Sequence, residues 1–274
     1  MDRLLFGTGG TPHSARARSS VAGIERLAEL GLGCMELEFV HGVKMGEAGA
    51  REVRETASRL GITLTAHAPY YINLNARDEA KIKASQERLR QTAEVAVWCG
   101  AVSVAFHPAF YLGDPPEKAY PTIRTNLKEA LEQMKGLSGQ VRLRPEIGGK
   151  LSEFGGLEDT LKLCAELGLL PCLDFAHLHA RSGQHNTYAE FAAILERVKE
   201  RLGGAALADI HIHVSGIAYS PKGEIKHLNL PESDFRYGEF LQALKDYRVR
   251  GTVICESPNL EADAQLLQAT YRTR

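Results

Sequence analysis

The stretch "SSVAGIERLAELGLGCMELEF", residues 19–39, contains one full repeat of the pattern that organises this chain. Its first part places Val21, Ile24, Leu27, Ala28 and Leu30 at the spacing of an amphipathic helix, and Gly31 supplies the stop. Its last part, "CMELEF" at 34–39, is a short β-rich run. Working outward, "RLLFGT" at 3–8 precedes it, and "ITLTAH" (62–67), "VSVAFH" (102–107), "VRLRPE" (141–146), "LPCLDF" (170–175), "ADIHIHVS" (208–215) and "TVICES" (252–257) follow. Helical spacing fills 47–60, 78–99, 117–135, 157–168, 188–202, 236–246 and 259–271 between them. Strand then helix, about eight times over, predicts a parallel sheet closed into one (β/α)8 barrel domain spanning residues 1–274; an open doubly wound sheet is the alternative.

Composition bounds the partners. Among 274 residues, Lys and Arg number 33 against 34 for Asp and Glu, a net charge of −1, so no global attraction to a polyanion exists and any such partner needs a local basic rim. The five cysteines are scattered without a CxxC pair and read as reduced core residues. No apolar run approaches a membrane span, and "MDRLLFGTGG" lacks the apolar stretch of a signal peptide, which together predict a cytoplasmic protein without membrane attachment.

In such barrels chemistry gathers at the carboxyl ends of the strands. Those ends carry Glu38, His67, His107, Glu146, Asp174 with His177, His211 with His213, and Glu256, and the long loop after the seventh strand adds Glu224 and His227. Imidazoles and carboxylates without thiolates suit zinc, with manganese or iron as alternatives. They outnumber the ligands of a single ion, so two or three divalent ions are expected, the arrangement used for displacement at phosphorus. His211 and His213 are two apart and share a strand face, so either can be the ligand. A metal-dependent sugar isomerase or epimerase is the competing enzyme class, and a non-catalytic nucleic-acid-binding protein the third reading.

The motifs "HAPYYINL" (67–74), "FHPAF" (106–110), "PEIGGKLSEFG" (145–155), "CLDFAH" (172–177), "IHIHVSG" (210–216), "KGEIKHLNLPESDF" (222–235) and "VICESP" (253–258) resemble, in order, those of the endonuclease IV family of apurinic/apyrimidinic endonucleases, which belong to the xylose isomerase-like barrels. The resemblance implies that His67, His107 and Glu146 hold a first ion. Glu146 would bridge to a second held by Asp174, Glu256 and one histidine of strand seven, and His177 and His227 would hold a third. It also implies incision on the 5′ side of abasic sites in double-stranded DNA, leaving a 3′-hydroxyl, with Glu146 and Glu256 as catalytic carboxylates. A monomer is expected.

Two departures stand out. The family's carboxylate two residues before the third-site histidine is Ile225 here, leaving Glu224, one position earlier, to reach instead. Tyr70 and Tyr71 match the family's DNA wedge, but the arginine after strand two is missing and Lys44 is the one cation there. Arg181, Lys150, Lys222 and Lys226 are candidates for the basic rim, with Arg181 expected to contact DNA. Glu38 and His41 are expected near the site in a supporting role, and His13, His179 and His185 on solvated loops.

Overall fold

In the computed structural model, which describes residues 2–137 and 139–274, strands and helices alternate around one axis. Met1, inside the expected 1–274 domain, and Ser138 lie outside the described residues. β1 (Leu4–Gly9) leads to α1 (Ser20–Glu29), β2 (Cys34–Glu38) to α2 (Glu47–Leu60) and β3 (Thr63–His67) to α3 (Glu79–Cys99). β4 (Ser103–Phe106) leads to α4 (Pro116–Gln133) and β5 (Arg142–Pro145) to α5 (Leu157–Leu167). After β6 (Cys172–Asp174) come α6 (Phe175–Ser182) and α7 (Tyr188–Leu202). β7 (Ile210–Val214) is followed by a hairpin of β8 (Gly216–Ser220) and β9 (Gly223–Leu228), then α8 (Tyr237–Asp246), β10 (Gly251–Cys255) and α9 (Glu261–Thr273).

The eight parallel strands run in the order β5-β4-β3-β2-β1-β10-β7-β6. Between the two end strands a single bridge, Glu146 with Cys172, completes the ring, and the Ile147 N–H donates to the Cys172 carbonyl at 3.3 Å. The barrel expectation holds and the open sheet falls away.

Local chemistry explains the elements. Ser19 caps α1 by accepting from the Ala22 N–H at 3.2 Å, and Ile24 and Leu27 of that helix are fully buried against the barrel. α5 ends at Gly168, whose φ of 68° is the left-handed turn that a Cβ disfavours. Phe175, Phe191 and Phe240 are fully buried with ring centroids 4.8 to 5.9 Å apart, each worth roughly 1.5–3 kcal/mol of apolar burial. All five cysteines are free and buried. Among the described residues no helix is long and apolar enough to cross a membrane.

Three features differ from the sequence expectation. The strands are shorter by one or two residues at most ends; the segment after β6 forms α6; and the long loop after β7 is a hairpin. The barrel axis is also unusually polar. Glu36, Thr65, Ser103 and His211 are buried there and linked across β2, β3, β4 and β7, where such barrels ordinarily stack branched apolar side chains.

Candidate metal centre

The strand ends deliver their side chains to one point. His67 ends β3, Asp174 ends β6, and His107, Glu146 and Glu256 each sit one residue beyond β4, β5 and β10. His177 comes from the first turn of α6, His213 from β7, and Glu224 and His227 from β9. Among the described residues five sets have all their donor atoms within 4.8 Å of one another, and three of them form the cluster: His67 with His107 and Glu146; Glu146 with Asp174, His213 and Glu256; and His177 with Glu224 and His227.

Glu146 belongs to two of these sets, and its two oxygens are divided between them. Oε2 lies 2.8 Å from His67 Nε2 and 3.4 Å from His107 Nε2, while Oε1 lies 3.1 Å from His213 Nδ1. His213 Nδ1 is 3.5 Å from Glu256 Oε1, and His177 Nε2 is 3.5 Å from Glu224 Oε2. Asp174 accepts the His177 N–H through Oδ1 at 2.6 Å, capping α6, which leaves Oδ2 for the cluster. Gly149 is needed for the approach of the hairpin, since a Cβ there would stand 2.6 Å from Glu224 Oε2 and 2.7 Å from His177 Cδ2.

The donor set fits divalent ions. The rings of His67, His177 and His227 each turn Nδ1 to a backbone carbonyl, of Ala68 at 2.7 Å, Ile147 at 2.9 Å and Glu256 at 3.1 Å, which leaves Nε2 facing the cluster. Asp174 Oδ2 and His107 Nδ1 are buried without a hydrogen-bond partner. Crowding shifts the titrations in the ion-free protein. Burial works against a charged Glu146, yet the charges of His107 and His213 and bonds from His213 and His67 hold its carboxyl well below the usual range. Burial likewise opposes charge on His67, but the bond to Glu146 raises it to about 10; Asp174 and Glu146 raise His177 to about 9 against the same penalty. For His107 burial wins and its pKa is lowered.

Of the strand-seven pair, the structure brings His213 into the cluster. His211 sits deeper, its Nδ1 3.0 Å from Ser103 Oγ and its Nε2 2.9 Å from Glu36 Oε2. Glu38 stands exposed at the mouth near Glu256. Tyr70 lines the cavity of about 310 Å³ above the cluster, its ring 5.6 Å from that of His67, and both it and the neighbouring Tyr71 are exposed. Lys150 lines the same cavity, and Lys44, Lys222, Lys226 and His41 are exposed.

Arg181 Nη1 donates to the carbonyls of Gly148, Lys150 and Glu153 at 3.0, 2.6 and 3.2 Å, so it braces the loop after β5. His179 requires a correction: it is buried, 3.1 Å from Asp234 and packed on Tyr219, not solvated on a loop. His13 is exposed and contacts the Pro258 carbonyl, and His185 holds a left-handed turn. Glu36 was missed by reading strand ends alone; its period-two offset from Glu38 was the available signal.

A family model described as the xylose isomerase-like TIM barrel matches residues 24–273. A protein of Methanocaldococcus jannaschii with no assigned function is 48% identical over 269 residues, covering 98% of this chain and 97% of that one. A probable endonuclease 4 of Mycoplasma pneumoniae is 23% identical over 72% of this chain and 68% of its own. Among solved structures, endonuclease IV from Thermus thermophilus superposes with a TM-score of 0.76 at 20% identity, covering 98% and 100% of the two chains. A D-psicose 3-epimerase superposes with a TM-score of 0.67 at 16% identity, covering 97% and 98%. At these identities the two superpositions speak for the fold. With the family model matched across nearly its whole length, the chain belongs to the xylose isomerase-like TIM barrel family.

Proposed function

We propose that this chain is a metal-dependent phosphodiesterase that acts on damaged double-stranded DNA and incises on the 5′ side of abasic sites to leave a 3′-hydroxyl. The observation that carries the reading is Glu146, one carboxylate shared by two donor sets with a third set beside them. Two or three divalent ions held there, zinc being best matched to the imidazole and carboxylate donors, would supply water activation and charge neutralisation at phosphorus. The donors are His67, His107 and Glu146; Asp174, His213 and Glu256; and His177, Glu224 and His227.

The chain's other residues have separable tasks. Lys150 meets phosphate at the cavity edge, Tyr70 and Tyr71 fill the stack vacated by a flipped lesion, and Lys44, Lys222 and Lys226 supply rim charge. We place the protein in a reducing cytoplasm as a single-domain monomer. The second reading, a sugar epimerase, is favoured by one observation: a cavity of about 310 Å³ is sized for a free sugar. A duplex with one abasic site, incubated with and without chelator, tests the first reading. Chelator-sensitive cleavage at that site supports it, whereas no cleavage together with epimerisation of a free ketose overturns it.

A further inference from the structure

We propose that Glu36 is a positioning residue of the metal centre, fixing the His213 ring so that Nδ1 presents its lone pair to the ion shared by Glu146, Asp174 and Glu256. The proposal rests on the metal reading above. Glu36 lies in the middle of β2, fully buried one layer below the mouth. A carboxylate removed from water at such a place is strongly unfavourable unless donors surround it. Three do: Thr65 Oγ1 donates to Oε2 at 2.7 Å, His211 Nε2 stands 2.9 Å from Oε2, and His213 Nε2 stands 2.7 Å from Oε1.

These contacts determine which nitrogens carry protons. A carboxylate only accepts, so the imidazole nitrogens at 2.7 and 2.9 Å are the N–H nitrogens, although both approach obliquely and neither forms a well-aligned hydrogen bond. His213 Nε2 then keeps its proton toward Glu36, and Nδ1, which donates to Glu146 at 3.1 Å in the ion-free protein and stands 3.5 Å from Glu256, is the nitrogen whose proton an ion would displace. His211 is held in the same tautomer, with Nδ1 left to accept from the Ser103 hydroxyl at 3.0 Å. Ser103, His211 and Thr65 therefore anchor Glu36, and Glu36 anchors His213.

His213 is thereby set apart from the other donors. His67 and His227 are oriented by neutral carbonyls bonded to Nδ1, His177 by the Ile147 carbonyl with Asp174 Oδ2 3.2 Å from the same Nδ1, and all three face the cluster with Nε2. His213 is oriented by a carboxylate and faces it with Nδ1. A carboxylate behind a ligating imidazole makes the ring more basic and holds it more rigidly, and such supporting groups change metal affinity by roughly 10–100-fold. The polar barrel axis has, in this account, a function at the centre above it.

The test compares wild type with Glu36→Ala, Glu36→Gln and Glu36→Asp. Zinc content and affinity are measured by chelator competition, and the histidine tautomers by two-bond ¹H–¹⁵N spectra. The expected result is an Nε2–H His213 in the zinc-loaded wild type, roughly tenfold or greater loss of affinity for one zinc in Glu36→Ala, and partial recovery in Glu36→Gln, whose amide oxygen still accepts. Glu36→Asp, which withdraws the charge by one methylene, should fall between Ala and wild type. Should Glu36→Ala fail to fold, the isosteric Gln variant carries the comparison. Wild-type affinity in the Ala or Gln variant, or an Nδ1–H His213 in the zinc-loaded protein, overturns the proposal while leaving the metal reading standing. A wild type that binds no zinc overturns both.

Discussion

Glu224 and His227 face the same side of β9 although they are three residues apart. In a regular strand, positions three apart point to opposite faces. Here Tyr219 pairs with Glu224 and Ala218 with Lys226, so Ile225 is the extra residue of a bulge and projects outward, 60% exposed. The bulge brings Glu224 Oε1 to 3.6 Å from His227 Nε2. This accommodates the missing carboxylate at position 225. Glu224→Gln should lower zinc content by one ion per chain, and adding Ile225→Asp should not restore it, because that side chain points away. Elemental analysis after dialysis decides; recovery in the double variant would mean that the strand is regular in solution.

Glu146→Gln should abolish turnover with the fold intact, because an amide oxygen is a far weaker ligand than a carboxylate shared between two donor sets. Thermal melting and incision rates supply the comparison. Turnover within about tenfold of wild type, about 1.4 kcal/mol in barrier, would remove Glu146 from the chemistry.

Stability of the ion-free protein should fall as pH rises through the alkaline range. His67 and His177 have folded values of about 10 and about 9, above the ordinary 6.5, because each lies against carboxylates that outweigh the burial penalty. Their contribution is fully present below pH 6.5 and is lost as pH climbs through about 9 to 10. Zinc displaces those protons, so its affinity should rise over the same window. Melting curves with chelator and with zinc, at intervals from about pH 6 to about pH 10, should therefore diverge. Parallel curves would count against proton and metal sharing one site.

Replacing Tyr70 and Tyr71 together by Ala should weaken incision of an abasic duplex strongly while sparing zinc content. Flipping a nucleotide requires a few kcal/mol, least where a base is missing, and aromatic stacking returns roughly 1–3 kcal/mol per base. Hydrolysis of bis-p-nitrophenyl phosphate, which involves no flipping, serves as the control. Equal loss on both substrates would assign the tyrosines to support of the cluster.

Arg181→Met should destabilise the protein and reduce zinc content. It removes the donor to three carbonyls in the loop that carries Gly149 past Glu224 and His177, and a buried acceptor left unsatisfied costs about 1–3 kcal/mol. An unchanged melting temperature with a reduced salt dependence of DNA binding would return Arg181 to the DNA surface.

The repeat of strand and helix was legible because apolar spacing and glycine stops such as Gly31 and Gly168 are local signals. The ligand types at strand ends were legible for the same reason. Glu36 was legible only through its period-two offset from Glu38, which places it on the same strand face but not how deep along the barrel axis it is buried. The hairpin and its bulge depend on pairing between β8 and β9, and α6 on Asp174 serving as a helix cap as well as a cluster residue. Arg144 sat in an alternating charged run that reads as half-solvated; it is buried, held 2.9 Å from Asp209. Arg181 likewise carries no local mark of its three carbonyl partners.

The ring of strands is joined at one place by a single bridge, and that place is the centre itself. Glu146 leaves β5 and Asp174 ends β6, so an ion held by both would span the gap that the backbone ladder leaves nearly unpaired. Such an ion would act as a clasp that joins the two edges. Removing it should release the seam first, seen as faster hydrogen exchange at the Ile147 amide than at amides deep in the β1–β10 ladder. Catalytic capacity and mechanical closure of the barrel would then be lost together, at one site and for one reason.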